Sequence, residues 1–363
     1  MKILVIYATA GAGHRKAAEA VYQGLKSRGN IGAEFILADS LVYTTPLYKK
    51  LYSDTYTFLI TKIPAAWGGI FAMLDWGWLQ PLVRLIRRIQ NTINGRKLAA
   101  YLKKEKFDYI ISTHFFPNEV AAYLKRKKLI ASKIIAVVTD YDVHRIWLGE
   151  GIDYYCGACE YTIEKLKKLG VPAERAVMTG IPTDSKFAAP HNIVELKKKL
   201  GLKEGIFTVL VATGSFGIGP IEEIAERLPD FQVMIVCGHN QELYKRLSKK
   251  HRELLKVFGL VDNMPELMAA ADVMITKPGG LSISEALVVG LPMIFFNAIP
   301  GQETNNVAVL GKCQVGISNC PVEEMVGVLR RFHSNPQEFQ AAKNKSKALG
   351  KPNAVQDIIN LIK

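Results

Sequence analysis

A chain of 363 residues with 49% hydrophobic and 22% charged residues is long enough for two cores and too apolar to be disordered. Five cysteines, with a single CxxC at Cys156 and Cys159, exclude a disulfide-stapled scaffold and a zinc ribbon, so all five read as reduced thiols. The formal charge of +14 calls for a polyanionic partner, and its distribution is uneven: between residues 41 and 128 fifteen Lys and Arg stand against five Asp and Glu.

From residue 2, KILVIYA predicts a strand, Thr9 to Gly13 a glycine-rich turn, and the stretch from about His14 to Ser27 a helix. Apolar strands recur at FILA, YIIS and IIAVVT, separated by longer helical segments, which predicts a parallel sheet with crossover helices. A second series starts near Phe207 with FTVLVAT and a glycine turn at Thr213 to Gly219, then QVMIVCG, VFGLV, VMITK and PMIFF. Gly180 to Pro190, rich in proline and small residues, is the expected linker. The prediction is an α/β protein of two Rossmann-like domains, residues 1–183 and 184–346, facing across a cleft. A closing helix within 347–363 is placed near the interdomain region. No run of eighteen apolar residues and no signal-peptide pattern occurs, so the chain is expected to stay in the cytoplasm.

Ligands of open parallel sheets bind beyond the carboxyl ends of the strands, where both glycine turns fall. The first turn, Gly11-Ala12-Gly13-His14-Arg15-Lys16, fails as a dinucleotide fingerprint because Lys16 stands where Gly or Ala is needed, and fails as a P-loop because the GK[ST] ending is absent. What remains is His14 at a helix start, either a structural histidine or one whose neutral imidazole, favoured by the dipole, serves as a general base. Asp140, after the strand IIAVVT, points to the same end of the sheet. It could orient His14, act as the base itself, or merely cap a helix. Asp140-Tyr141-Asp142 is also a DxD, which is a frequent chance match, and no metal is assigned to it.

In TKPGGLSISEALVVGLPMIFFNAIPGQETNN, residues 276–306, Pro278-Gly279-Gly280 reads as a turn, Ser282 as a helix N-cap and Glu285 as its capping-box partner. The free N–H groups of that helix start would face a pyrophosphate. Gln302, Glu303 and Asn306 form a polar cluster in the following loop. Trp67, Trp76 and Trp78 lie among the cations of the basic quarter, including Arg84, Arg87 and Arg88, a mixture suited to a membrane interface. The three arginines share one helical face. No recognition helix or RNA-binding sheet is apparent, so no nucleic-acid partner is expected.

The order K-x-G-G-x-[ST]-x-x-E-A-L, then G-x-P, then G-Q-E-x-x-N resembles the nucleotide-sugar signature of the diacylglycerol glycosyltransferases, which have the GT-B fold. Three further matches carry the resemblance: GAGHRKAA with the family's GGGH-x-x-A-A turn, TDYDVHRIW with T-D-[FY]-x-x-H-x-x-W, and LYSDTYTFLITKIPAAWG with the stretch between them. Ala12 replaces the middle glycine. The resemblance implies His14 and Asp140 as catalytic residues. It places Gly13, Thr213, Gly214, Ser215, Phe216, Gly279, Gly280 and Ser282 by the phosphates, Phe258 and Leu260 by the uracil, Glu285 on the ribose, and Gln302, Glu303 and Asn306 near the sugar. Trp67, Trp76, Trp78, Arg84, Arg87, Arg88, His144 and Trp147 are expected on the acceptor and membrane side, although His144 and Trp147 could simply pack inside. The implied reaction is an inverting, metal-free transfer of glucose or galactose from UDP-glucose or UDP-galactose to diacylglycerol. It would take place at the cytoplasmic membrane face, on anionic lipids, with no obligatory cofactor. An alternative within the same fold is transfer from UDP-N-acetylglucosamine to an undecaprenyl-linked acceptor.

Overall fold

The structure, a computed structural model, describes all residues except 10, 30, 31, 47, 50–54, 56, 57, 60, 61, 215, 216, 218, 318 and 319, and the side chain of residue 92. The chain divides into two compact units, one of residues 1–184, 299–306 and 353–363, the other of 185–298 and 307–352. The first crossing between the units falls at residues 184 and 185. The returns of 299–306 and 353–363 to the N-terminal unit depart from a division into consecutive blocks.

The N-terminal unit is built on a parallel sheet of six strands: β1 (Lys2–Tyr7), β2 (Glu34–Asp39), β3 (Tyr109–Ser112), β4 (Lys133–Val137), β5 (Tyr154–Gly157) and β6 (Ala176–Met178), in the order β2-β1-β3-β4-β5-β6. Alternation along β1 splits its side chains between two layers. Ile3 and Val5 pack with Ala18, Val21 and Leu25 of the helix Ala12–Ser27 and with Ile358 and Ile359. Leu4 and Ile6 pack on the other face with Leu98, Leu102 and Phe116. Both faces of β1 are therefore covered, which is why its sequence is a continuous apolar run rather than an alternating one.

The helix Ala354–Ile359 completes the first of these layers. A Cβ on Gly24 would overlap the Val355 side chain, so the glycine is what lets the two helices approach. The Tyr109 hydroxyl donates to the Lys363 carbonyl and accepts from the Lys363 N–H, both at 3.0 Å.

The C-terminal unit has a parallel sheet of five strands, β7 (Thr208–Ala212), β8 (Gln232–Val236), β9 (Leu255–Phe258), β10 (Val273–Thr276) and β11 (Met293–Phe295), in the order β11-β10-β7-β8-β9. Its core joins Val209, Val211, Val233 and Ile235 to Phe296, Leu329 and Phe332. All the paired strands of both sheets are parallel, so the strand ends that carry glycine turns lie at one edge of each sheet. Among the described residues, no helix is long and apolar enough to cross a membrane.

Candidate active site

In the N-terminal unit, β1 runs into Gly11, whose φ of 114° permits the sharp entry into the helix Ala12–Ser27. Gly13 and His14 fall in its first turn. His14 Nδ1 lies 2.7 Å from the Thr113 carbonyl oxygen and 3.0 Å from the Thr139 hydroxyl. A carbonyl can only accept, so Nδ1 carries the proton and Nε2 the lone pair. Burial lowers the His14 pKa from 6.5 to about 4, against the hydrogen bond to Thr113, so the ring is neutral at pH 7. The neutral imidazole expected from the helix dipole is thus secured chiefly by burial. Its ring meets His114 edge-on at 4.7 Å and stands 6.3 Å from Trp147.

Asp140 follows Thr139 and is 7% exposed. Burial raises its pKa from 3.8 to about 6, with Gln302 and Asn306 pulling the other way through hydrogen bonds and Asp142 adding to the rise. Gln302 Nε2 donates to both carboxylate oxygens at 3.0 and 3.1 Å, and Asn306 Nδ2 to one of them at 3.3 Å. Asp142 is bound by Lys165 at 2.7 and 2.8 Å and by Asn305 at 2.9 Å. Both carboxylates of the DxD are therefore engaged by protein donors. Glu303 accepts from the Ile299 N–H at 2.8 Å.

His144 uses both ring nitrogens inside the protein: Nε2–H donates to the Phe71 carbonyl at 2.9 Å, and Nδ1 accepts from the Ile146 N–H at 3.0 Å. It fastens the helix Pro64–Asp75 to the loop after Asp140, while Trp147 is buried beside His14. On the helix Gln80–Asn94, Leu82, Leu85, Ile86, Ile89 and Ile93 stand at i, i+3, i+4, i+7 and i+11 and are 47–61% exposed, which makes one exposed apolar stripe. Trp76 (51% exposed) and the still barer Trp78 (74%) stack at 5.9 Å, and Trp67 is half-buried. The arginines lie off the stripe. Arg87 donates to the Ile146 carbonyl at 2.9 Å and pairs with Glu119 at 2.7 Å, Arg88 stands 5.6 Å from the Tyr123 ring, and Arg84 is exposed. For Arg87, a place on lipid phosphate is replaced by a pair inside the protein.

In the C-terminal unit, the helix Gly280–Val289 begins at Gly279 with no side-chain cap. Ser282 is the third helical residue, not the N-cap, and so forms no capping box with Glu285, which lies half-buried one turn further on. The first N–H groups of this helix therefore receive no bond from the Ser282 side chain. A Cβ on Gly279 would meet nothing within 4 Å, nor would one on Gly214, whose φ is 80°. The Thr213 hydroxyl is buried with no hydrogen-bond partner among the described residues. Phe258 ends β9 half-buried, and Leu260 is 63% exposed. Ser215 and Phe216 lie outside the described residues.

Residues 14–183 match the family model described as monogalactosyldiacylglycerol (MGDG) synthase, and residues 208–361 that of the glycosyltransferase family 28 C-terminal domain. A processive diacylglycerol beta-glucosyltransferase of Bacillus cereus is 31% identical over 314 residues, covering 84% of this chain and 78% of the relative. The chain belongs to the diacylglycerol glycosyltransferase family. Among solved structures, this glycosyltransferase is similar to MurG of Acinetobacter baumannii, with 17% identity, a TM-score of 0.59 and 99% of both chains covered. HepE of Anabaena in complex with UDP-glucose is similar with 15% identity and a TM-score of 0.55, over 100% of this chain and 99% of the other. These likenesses establish the GT-B fold.

Three residues around the glycosyltransferase histidine escaped the sequence reading. Thr113 and His114 follow β3, which lies next to β1 and so brings them to His14, whereas Thr139 follows β4, one strand further on. Strand order would have revealed Thr113 and His114, since any residue just past β3 stands beside the first glycine turn.

Proposed function

We propose that the chain transfers a hexose from a UDP-sugar to the hydroxyl of diacylglycerol, with inversion, while attached peripherally to the cytoplasmic face of a membrane. The observation that carries this reading is the tautomer-locked, neutral His14, set within the segment that matches the galactolipid-synthase model. UDP-glucose is the first donor to consider because the curated relatives are named as glucosyltransferases, and UDP-galactose the second because the N-terminal model is named for a galactolipid.

His14 Nε2 takes the proton of the acceptor hydroxyl as its oxygen attacks the anomeric carbon from the face opposite the diphosphate. The bond from that carbon to the UDP oxygen breaks, and a β-linked product replaces the α-linked donor. Asp140, a carboxylate above about pH 6, stabilises the positive charge that His14 acquires. The leaving diphosphate is met by the uncapped helix start at Gly279 and the turn at Thr213 and Gly214. These backbone dipoles are oriented before the reaction, so no reorganisation opposes the charge as it develops. Glu285 is assigned to the ribose, and Phe258 and Leu260 to the uracil. The apolar stripe and Trp76 and Trp78 enter the headgroup region, with neighbouring cations on anionic lipid.

The test is incubation with diacylglycerol vesicles and each UDP-sugar in turn, with mass analysis of the lipids. Hexosyl-diacylglycerol is expected from UDP-glucose or UDP-galactose. Turnover only with UDP-N-acetylglucosamine and an undecaprenyl-linked acceptor would refute the proposal.

A further inference from the structure

The side-chain amides of the segment after β11 that resemblance assigns to the donor sugar have other employment within the N-terminal unit. Gln302 spans both oxygens of Asp140. Asn306 is fully buried; its Nδ2 donates to Asp140, and its Oδ1 accepts from the backbone N–H of Tyr141 at 2.8 Å and of Asp142 at 3.4 Å. The Thr162 hydroxyl holds the Tyr141 carbonyl at 2.7 Å. A carboxamide that accepts from two consecutive N–H groups and donates to the carboxylate just before them can be satisfied in one orientation only. Aspartate at position 306 would keep the acceptor and place a second carboxylate against the first.

We propose that Gln302 and Asn306 are positioning residues for Asp140, holding its carboxylate and the Tyr141–Asp142 backbone in one geometry and acting on the reaction through that carboxylate rather than through the sugar. The inference rests on the reading of Asp140 as part of the reacting centre. Among the described residues, the charged groups around Asp140 are few. Asp142 opposes its ionisation, Lys165 is paired to Asp142, and Glu303 is turned to the Ile299 amide. The two amides are the hydrogen-bond donors that favour the carboxylate, so removing one disfavours the charged form and moves its titration to higher pH.

The experiment measures kcat/KM for UDP-glucose across pH 5 to 9 in the full chain on diacylglycerol vesicles, for wild type, Gln302→Leu, Gln302→Lys and Asp140→Asn. In Gln302→Leu the acid limb is expected to move up by about one pH unit, with KM for UDP-glucose unchanged within about twofold. Gln302→Lys, which restores a donor and adds a positive charge, is expected to move the limb down. Opposite displacements of this kind would not follow from damaged folding. An unmoved limb in both variants, or a roughly tenfold rise in KM for UDP-glucose without a shift, overturns the inference in favour of a sugar contact. Asp140→Asn separates the two levels: near-wild-type activity there defeats the reading of Asp140 itself, whereas a large loss leaves that reading in place while the Gln302 variants decide the rest.

Discussion

The Nδ1 of His14 is 2.7 Å from the carbonyl oxygen of Thr113, and this one contact decides which nitrogen of the ring can take a proton. The partner is a backbone carbonyl, so the contact does not depend on the chemistry of the Thr113 side chain, although the Thr113 hydroxyl also donates to the His14 carbonyl at 2.8 Å. His14→Ala is expected to lower kcat by roughly a hundredfold to ten-thousandfold, with UDP affinity unchanged. Thr139→Val, which removes only the second contact at 3.0 Å, is expected to cost less than about tenfold. Steady-state kinetics alongside calorimetric UDP binding check both. A His14→Ala enzyme of normal turnover would move the base elsewhere.

Thr213 keeps a buried hydroxyl without a partner among the described residues, at a turn assigned to phosphate. Thr213→Val replaces the hydroxyl with a methyl of similar size, so the ligand-free protein should be unchanged or more stable by about 1 kcal/mol. UDP affinity should nevertheless fall several-fold. Thermal denaturation with and without UDP measures both effects in one titration. Equal stabilisation of wild type and variant by UDP would show that the hydroxyl has no part in binding.

The stripe on the helix Gln80–Asn94 predicts attachment driven more by apolar burial than by charge. Leu85→Glu with Ile89→Glu should abolish flotation with neutral vesicles while leaving the circular dichroism spectrum intact, since both side chains are about half exposed. Arg84→Gln with Arg88→Gln should weaken binding only to anionic vesicles and only at low salt. Arg87→Gln should instead lower stability, because it breaks the Glu119 pair and the bond to the Ile146 carbonyl. Flotation of the double Glu variant at wild-type levels would place the membrane contact on another surface.

Alanine within a helix ordinarily stabilises by up to about 1 kcal/mol relative to glycine. At Gly24 the sign should reverse. The added methyl meets Val355, so Gly24→Ala is expected to cost about 1–3 kcal/mol and to expose the C-terminal residues to protease. Urea denaturation and limited proteolysis read the two effects; a more stable variant would contradict the packing.

The sequence made the strands with the strongest apolar runs visible, together with the glycine turns that end several of them. β5 escaped because YYCG holds no aliphatic residue and ends in glycine, and β6 because its apolar run, AVM between Arg175 and Thr179, is three residues long at a sheet edge. Ser282 looked like a cap because Ser precedes a helical pattern three residues before Glu, yet Gly279 already begins the turn, and helix ends are poorly marked where glycine can serve either way. The residues around His14 were hidden for a different reason. Thr113, nearly a hundred positions away, reaches the ring through strand adjacency, which local pattern does not encode. The amides of Gln302 and Asn306 were legible as polar groups at a strand end, but not as partners of Asp140.

Residues 353–363 belong to the first unit, and Ile358 and Ile359 among them lie in its core. A ribosome releases the chain from its N-terminus, so β1 and its covering helix emerge long before Val355, Ile358 and Ile359 exist to shield them. The apolar surface that waits for these residues must stay soluble, or be guarded by a chaperone, while the whole second unit is synthesised. Closing the layer beside the helix that holds His14 thereby waits for residues 353–363, and a product truncated before residue 353 would carry that layer open.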